Sequence, residues 1–108
     1  MLHPRLRKAA ARLEKQTATN MQGSTTPASG AIRNLRLKGD VIAKHFRVEC
    51  KLTEKQSYSV SRAVLDKIET EALSNCVCPL LSLQIDGKRF AVLRWEDFEA
   101  MAYDSHMI

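Results

Sequence analysis

The stretch HFRVECKLT, at positions 45–53, constrains the fold more than any other part of the chain. Phe46, Val48, Cys50 and Leu52 alternate there with Arg47, Glu49, Lys51 and Thr53. Successive side chains of an extended strand point to opposite faces, so this period of two predicts a strand with one buried face. Glu49 and Lys51 then share the polar side. Just upstream, GDVIA at 39–43 reads as another strand, and the short spacing predicts an antiparallel hairpin turning near Lys44 and His45. With a two-residue turn, Ala43 pairs with Phe46, Ile42 with Arg47, Val41 with Val48, and Asp40 with Glu49. Two carboxylates then face each other.

The remaining segments supply layers for such a hairpin. Residues 4–20 read as a helix, with Pro4 suited to the first turn, an Ala-rich interior, and Leu6, Ala10, Leu13 and Thr17 along one side. QGSTTPASGAI at 22–32 is a loop or a short irregular strand. A short strand is expected around 57–60. A second helix follows over 62–73, capped by Ser59 or Ser61, with Val64, Leu65, Ile68 and Ala72 as its apolar stripe. PLLSLQI and RFAVLRW are two further strands, joined at Asp86-Gly87, a strong hairpin signal. A short helical turn begins near Glu96, and the tail from Tyr103 shows no pattern. These elements predict one α/β domain over 1–108, a mixed β-sheet flanked by helices, with 1–3 and 103–108 frayed.

Charge is divided unequally. The net charge of +5 combines +8 over residues 1–55 with −3 over residues 56–108. On the first helix, Arg5, Lys8, Arg12 and Lys15 recur every three or four residues and so form a basic stripe. A basic half of this kind is either a solvated surface or a face for an anion, of which a polyphosphate backbone is the commonest. Three cysteines, Cys50, Cys76 and Cys78, without a second Cys-rich pair, argue against a disulfide framework and against a zinc site. No stretch approaches the roughly 20 apolar residues that span a bilayer. A soluble, cytoplasmic protein without membrane association is therefore expected.

The facing carboxylates suggest chemistry. Like charges directly opposed across a hairpin destabilise it, so folding ordinarily avoids the pair Asp40 and Glu49. A divalent cation removes the objection. Mg²⁺ is hard, prefers oxygen ligands and is held by one or two carboxylates plus waters, leaving positions for a phosphate oxygen and a nucleophilic water. Lys51, beside Glu49, then stabilises charge on the phosphate or orients and deprotonates the water. The backbone carbonyl of Cys50 is a further candidate ligand. Each element alone has an ordinary explanation: Glu-x-Lys as a solvated ladder of opposite charges, and Asp40 after a glycine as a turn residue. Their conjunction is what points to a metal site.

The ordered set of Glu14, TPASGA at 26–31, KGDV at 38–41 and Glu49-Cys50-Lys51 resembles the signature of PD-(D/E)XK endonucleases related to the phage-type and archaeal Holliday-junction resolvases. The likeness continues through Ser57, Ser59, Leu65, Lys67, Ile68 and Glu71-Ala72, and into PLLSL and FAVL. The resemblance implies a restriction-endonuclease-like fold and Mg²⁺-dependent hydrolysis of DNA, with Mn²⁺ able to substitute. Asp40 and Glu49 would be metal ligands, Lys51 the catalytic lysine, Glu14 the first-helix acid that completes the site, and Ser29 a loop serine near the scissile bond. Gly30 would let the backbone approach DNA, and Arg5, Lys8, Arg12, Lys15, Arg33, Arg36 and Lys38 would join Ser29 and Gly30 in holding it. The implied partner is branched DNA, cut by a homodimer in the cytoplasm, that of the host if the chain is phage-encoded. Two other functions stay open: a nuclease acting on flaps, forks or nicks, and a non-catalytic DNA-binding protein on the same scaffold. The chain departs from the pattern in lacking a proline before Asp40 and in placing a cysteine inside Glu-x-Lys.

Overall fold

The computed structural model describes residues 4–25 and 41–108. They form helix α1 (Pro4–Met21), strands β1 (Ser24–Thr25), β2 (Val41–Ile42) and β3 (Phe46–Thr53), helix α2 (Arg62–Leu73), strands β4 (Cys78–Ile85) and β5 (Lys88–Leu93), and helix α3 (Trp95–Asp104). The strands make one five-stranded mixed sheet in the order β1-β2-β3-β4-β5. Its members pair antiparallel except β3 and β4, which run parallel in register from Phe46↔Cys78 to Thr53↔Ile85. Parallel neighbours need a crossover, and α2 provides it. This mixed α/β architecture is compatible with a restriction-endonuclease-like fold.

The central hairpin has the register that the alternation predicts. Val41 pairs with Val48 and Ile42 with Arg47, and the Ala43 amide donates to the Phe46 carbonyl at 2.9 Å. The second hairpin turns at Asp86 and Gly87, both with positive φ (46° and 83°), the backbone of a tight two-residue turn whose twist matches that of its strands.

Helices cover both faces of β3. On one, Leu13, Thr17 and Ala18 of α1 are buried, and Ala18 packs against Val41 and Val48. On the other, Ile68 of α2 packs against Leu81 and Leu83. Leu13, Val41, Val48 and Leu81 are almost wholly excluded from solvent, and each such side chain contributes about 1.5–3 kcal/mol of transfer free energy. Ser61 caps α2, accepting from the Val64 amide at 3.2 Å, a contact that stabilises a helix by about 1 kcal/mol.

Three expectations are corrected. β3 does not have a single buried face, because Arg47 is only 2% exposed and Val48 is 0% exposed. Adjacent residues point to opposite faces, so the strand is enclosed on both at this point, as a strand in a parallel crossover commonly is. Arg47 donates to Asn75 Oδ1 at 2.6 Å. Secondly, 57–60 form no strand. β3 and β4 already pair with each other along their full length, so this segment instead lays Tyr58 and Val60 on the Ile68, Leu81 and Leu83 cluster. Thirdly, α3 is longer than the predicted turn and extends to Asp104. Beyond it His106 takes a positive φ of 59°, its amide donates to the Tyr103 carbonyl and that of Met107 to the Ala102 carbonyl at 2.8 Å. These paired bonds are a Schellman closure, which ties down carbonyls that a helix end otherwise exposes.

The same closure ends α1. Gln22 has φ 54°, and the Gly23 amide donates to the Ala18 carbonyl at 2.8 Å. Gly23 is required next to it, since a Cβ there would run into the Ile42 carbonyl. None of the described helices is long and apolar enough to cross a membrane.

Candidate active site at the α1 and β3 edge

Helical geometry brings Glu14 to β3. Residues three and four apart lie on one helix face, so Glu14 shares a side with Thr17 and Ala18, and Ala18 packs against Val48, the residue before Glu49. Arg5 fastens the first turn of the helix to the end of the same strand. Its guanidinium makes a two-pronged contact with Glu54, at 2.8 and 3.0 Å. The helix is thus tied to β3 at both ends of the segment that carries Glu14.

The electrostatic consequence appears on Glu14. Its carboxyl pKa is raised above the ordinary glutamate value, first by burial and then by the negative charge of Glu49. Two acids from separate elements therefore lie within reach of each other's field. Lys51 is paired with Glu49: its Nζ is 3.3 Å from Glu49 Oε2, with the Glu49 side chain 15% exposed and that of Lys51 39% exposed. Glu49 and Lys51 share the α2 side of β3, in line with Leu81 and Leu83 on β4. Cys50 lies between them with its thiol packed into the opposite, Val48 cluster.

The remaining site residues divide by location. Asp40, Ser29, Gly30, Arg33, Arg36 and Lys38 lie outside the described residues, although Val41, which follows Asp40, pairs with Val48, which precedes Glu49. Among the described residues no group of three or more His, Cys, Asp and Glu side chains is gathered as a metal set; Glu14 and Glu49 are the two carboxylates that could offer oxygen donors there. Lys8, Arg12 and Lys15 are exposed along α1, whereas Arg5 is engaged by Glu54. The three cysteines are free thiols.

Several polar groups that organise this region were not singled out by the sequence. Arg47 falls on the same face as Glu49, the face expected to be polar, and period-two alternation alone carries no signal that this face is covered. Arg89 of β5 reaches across to α1, donating to Thr17 Oγ1 at 2.9 Å, Asn20 Oδ1 at 3.1 Å and Ser82 Oγ at 3.3 Å. It holds the last turns of α1 over the sheet. No family model, no curated protein and no solved structure matches the chain, so its chemistry is read from its own residues.

Proposed function

We propose that the protein is a Mg²⁺-dependent, structure-selective DNA endonuclease that resolves four-way junctions. The observation that carries this reading is the Glu49–Lys51 ion pair on β3 with Glu14 of α1 near enough to feel it, the Glu14 carboxyl being pushed up first by burial and then by the charge of Glu49. A protein with no use for the pair would be more stable without two acids so placed. A hard divalent cation fits this donor set, since it takes carboxylate oxygens and offsets their repulsion. Glu14 and Glu49 would hold it, with Asp40 as the third acid and the Cys50 carbonyl as a further donor. When bound, such an ion supplies Lewis-acid polarisation of a phosphate oxygen, and Mn²⁺ is expected to substitute for Mg²⁺.

The chain's own groups do the rest. Lys51, held beside Glu49 as an ammonium, orients the attacking water and stabilises the charge that develops on the phosphate, while the water's proton passes to solvent. The water attacks phosphorus in line with the leaving 3′ oxygen; the P–O3′ bond breaks and the leaving oxygen takes up a proton. The products carry 5′-phosphate and 3′-hydroxyl ends. Lys8, Arg12 and Lys15 form a rail for phosphates, joined by Arg33, Arg36, Lys38, Ser29 and Gly30, so binding depends on salt and on DNA shape more than on sequence.

The test is cleavage of a labelled four-way junction beside linear duplex and a flap, with Mg²⁺ and then EDTA, using the wild type and Asp40→Asn. Paired, symmetric cuts on the junction alone, lost with EDTA and in the variant, are expected. Cutting of flaps or duplex instead would transfer the site to another nuclease, and tight binding without cutting would leave a DNA-binding scaffold.

A further inference from the structure

Arg89 is held differently from the other arginines that the fold engages. Arg5 pairs with Glu54, Arg62 with Asp66 and Arg94 with Asp97, each at 2.8 Å. Arg89 instead donates to three neutral oxygens, those of Thr17, Asn20 and Ser82, and meets no carboxylate among the described residues. Two of these acceptors are buried, Thr17 at 2% exposed and Ser82 at 6%. Hydroxyl and amide oxygens orient a guanidinium without neutralising it. At the nearby helix end the Ala18 and Thr19 carbonyls already accept from the Gly23 and Gln22 amides, and α1 itself adds Arg7, Lys8, Arg12 and Lys15 against the single acid Glu14. The surroundings of Arg89 thus fix its position and leave its charge uncompensated.

That cation borders a cleft of about 280 Å³ between the last turns of α1 and strands β3 to β5, with Met21, Val48, Leu80 and Ala91 among its walls. Val48 pairs with Leu80 and Ser82 with Ala91, so these residues share with Arg89 the side of the sheet that α1 covers. A concave, mainly apolar surface with one placed polar group is how small-molecule sites are built: the polar group sets orientation and the walls take the body. We propose that this cleft binds a small organic carboxylate with an apolar body, its carboxylate on Arg89 and its body against Met21, Leu80 and Ala91. The planar fork of a guanidinium matches a carboxylate, and its five N–H donors exceed the three bonds already made. Those bonds hold the fork in place beforehand, which lowers the ordering cost of binding. A phosphodiester would meet the same cation but gains nothing from the apolar walls.

This site goes beyond the nuclease reading and does not depend on it, since none of Glu14, Glu49 and Lys51 lines the cleft. The probe is octanoate, titrated into the full chain without DNA or metal and followed by amide NMR shifts. Saturable shifts at Thr17, Ser82 and Ala91 are expected. Acetate, which lacks the apolar body, and octanamide, which lacks the charge, are each expected to bind roughly tenfold more weakly or worse. Arg89→Gln is expected to weaken octanoate to the same degree. Ala91→Glu sets a carboxylate of the chain's own beside Arg89 and removes none of the groups that hold α1; the same loss is expected, and it covers the case in which α1 shifts without Arg89. The absence of saturable octanoate binding overturns the proposal, as does binding that survives both substitutions in variants with native circular dichroism. Octanamide bound as tightly as octanoate would show an apolar cleft indifferent to charge, and inorganic phosphate bound as tightly would show a general anion site; either result also overturns it.

Discussion

Two charged regions of this molecule are built in opposite ways. At the junction of α2, β5 and α3, Arg94 donates to both oxygens of Asp97, at 2.8 and 3.1 Å, and to Glu69 at 2.9 Å. One fixed cation satisfies two carboxylates there, and they in turn hold Arg94 in its charged form. At the α1 and β3 edge the balance is reversed: burial and Glu49 both oppose ionisation of Glu14. The first arrangement stabilises the packing of α3 against α2. The second costs stability in the isolated chain, which is how a site that awaits a positively charged ligand is expected to look.

The comparison breaks most visibly if α1 is loosened. Leu13→Ala removes a side chain that is 3% exposed from the α1 contact, and the expected loss is about 3 kcal/mol in urea unfolding. Glu14 should then titrate closer to an ordinary glutamate, measurable by NMR. If its titration does not move, packing of α1 is not what brings the acids together.

Cation binding is expected to act next most strongly, and at one region only. Mg²⁺ at a hundredfold excess over its dissociation constant should raise wild-type stability by about 2.7 kcal/mol. Glu49→Gln should abolish most of that gain, while Arg94→Ala should leave it intact. Arg94→Ala itself is expected to cost about 2 kcal/mol, between the values for exposed and buried pairs, because it leaves Asp97 only 12% exposed without its main cation. A cost below a few tenths would place the Arg94 cluster among ordinary surface pairs.

Glu14→Gln gives the smallest change and the most telling sign. The folded-state pKa of Glu14 lies above its unfolded value, so its favourable contribution is fully present below the unfolded pKa and is lost as pH rises through the folded one. The wild type therefore carries the cost at neutral pH. Glu14→Gln should be more stable there, by less than about 1 kcal/mol after solvent screening, and the advantage should fade as pH drops into the glutamate range. A variant less stable at pH 7 would mean that Glu14 makes a net favourable contact.

How much of this was legible in the sequence follows from the kind of signal each element carries. The 41–48 register could be read because alternation and turn length fix pairing together, and a slip by one residue would turn every side chain to the wrong face. Ser61 and the apolar spacing of 64–72 marked α2, and Asp86-Gly87 marked the second hairpin. Arg47 could not be read, because alternation reports which residues share a face but not whether a later helix covers it. The extent of α3 was hidden for a related reason: its Trp95, Phe98 and Met101 face solvent, so little packing accompanies the helical spacing. For the site, Glu49 and Lys51 followed from the strand pattern, while Glu14, thirty-five positions away, entered only through the resemblance to resolvases.

The central claim is that Glu14 and Glu49 share one cation, and titration of Glu14 by NMR with and without Mg²⁺ tests it most directly. The account predicts a Glu14 pKa above the ordinary glutamate value in the metal-free protein, a marked fall when Mg²⁺ is added, and no such fall in Glu49→Gln. A Glu14 pKa that Mg²⁺ leaves unchanged in the wild type would contradict it.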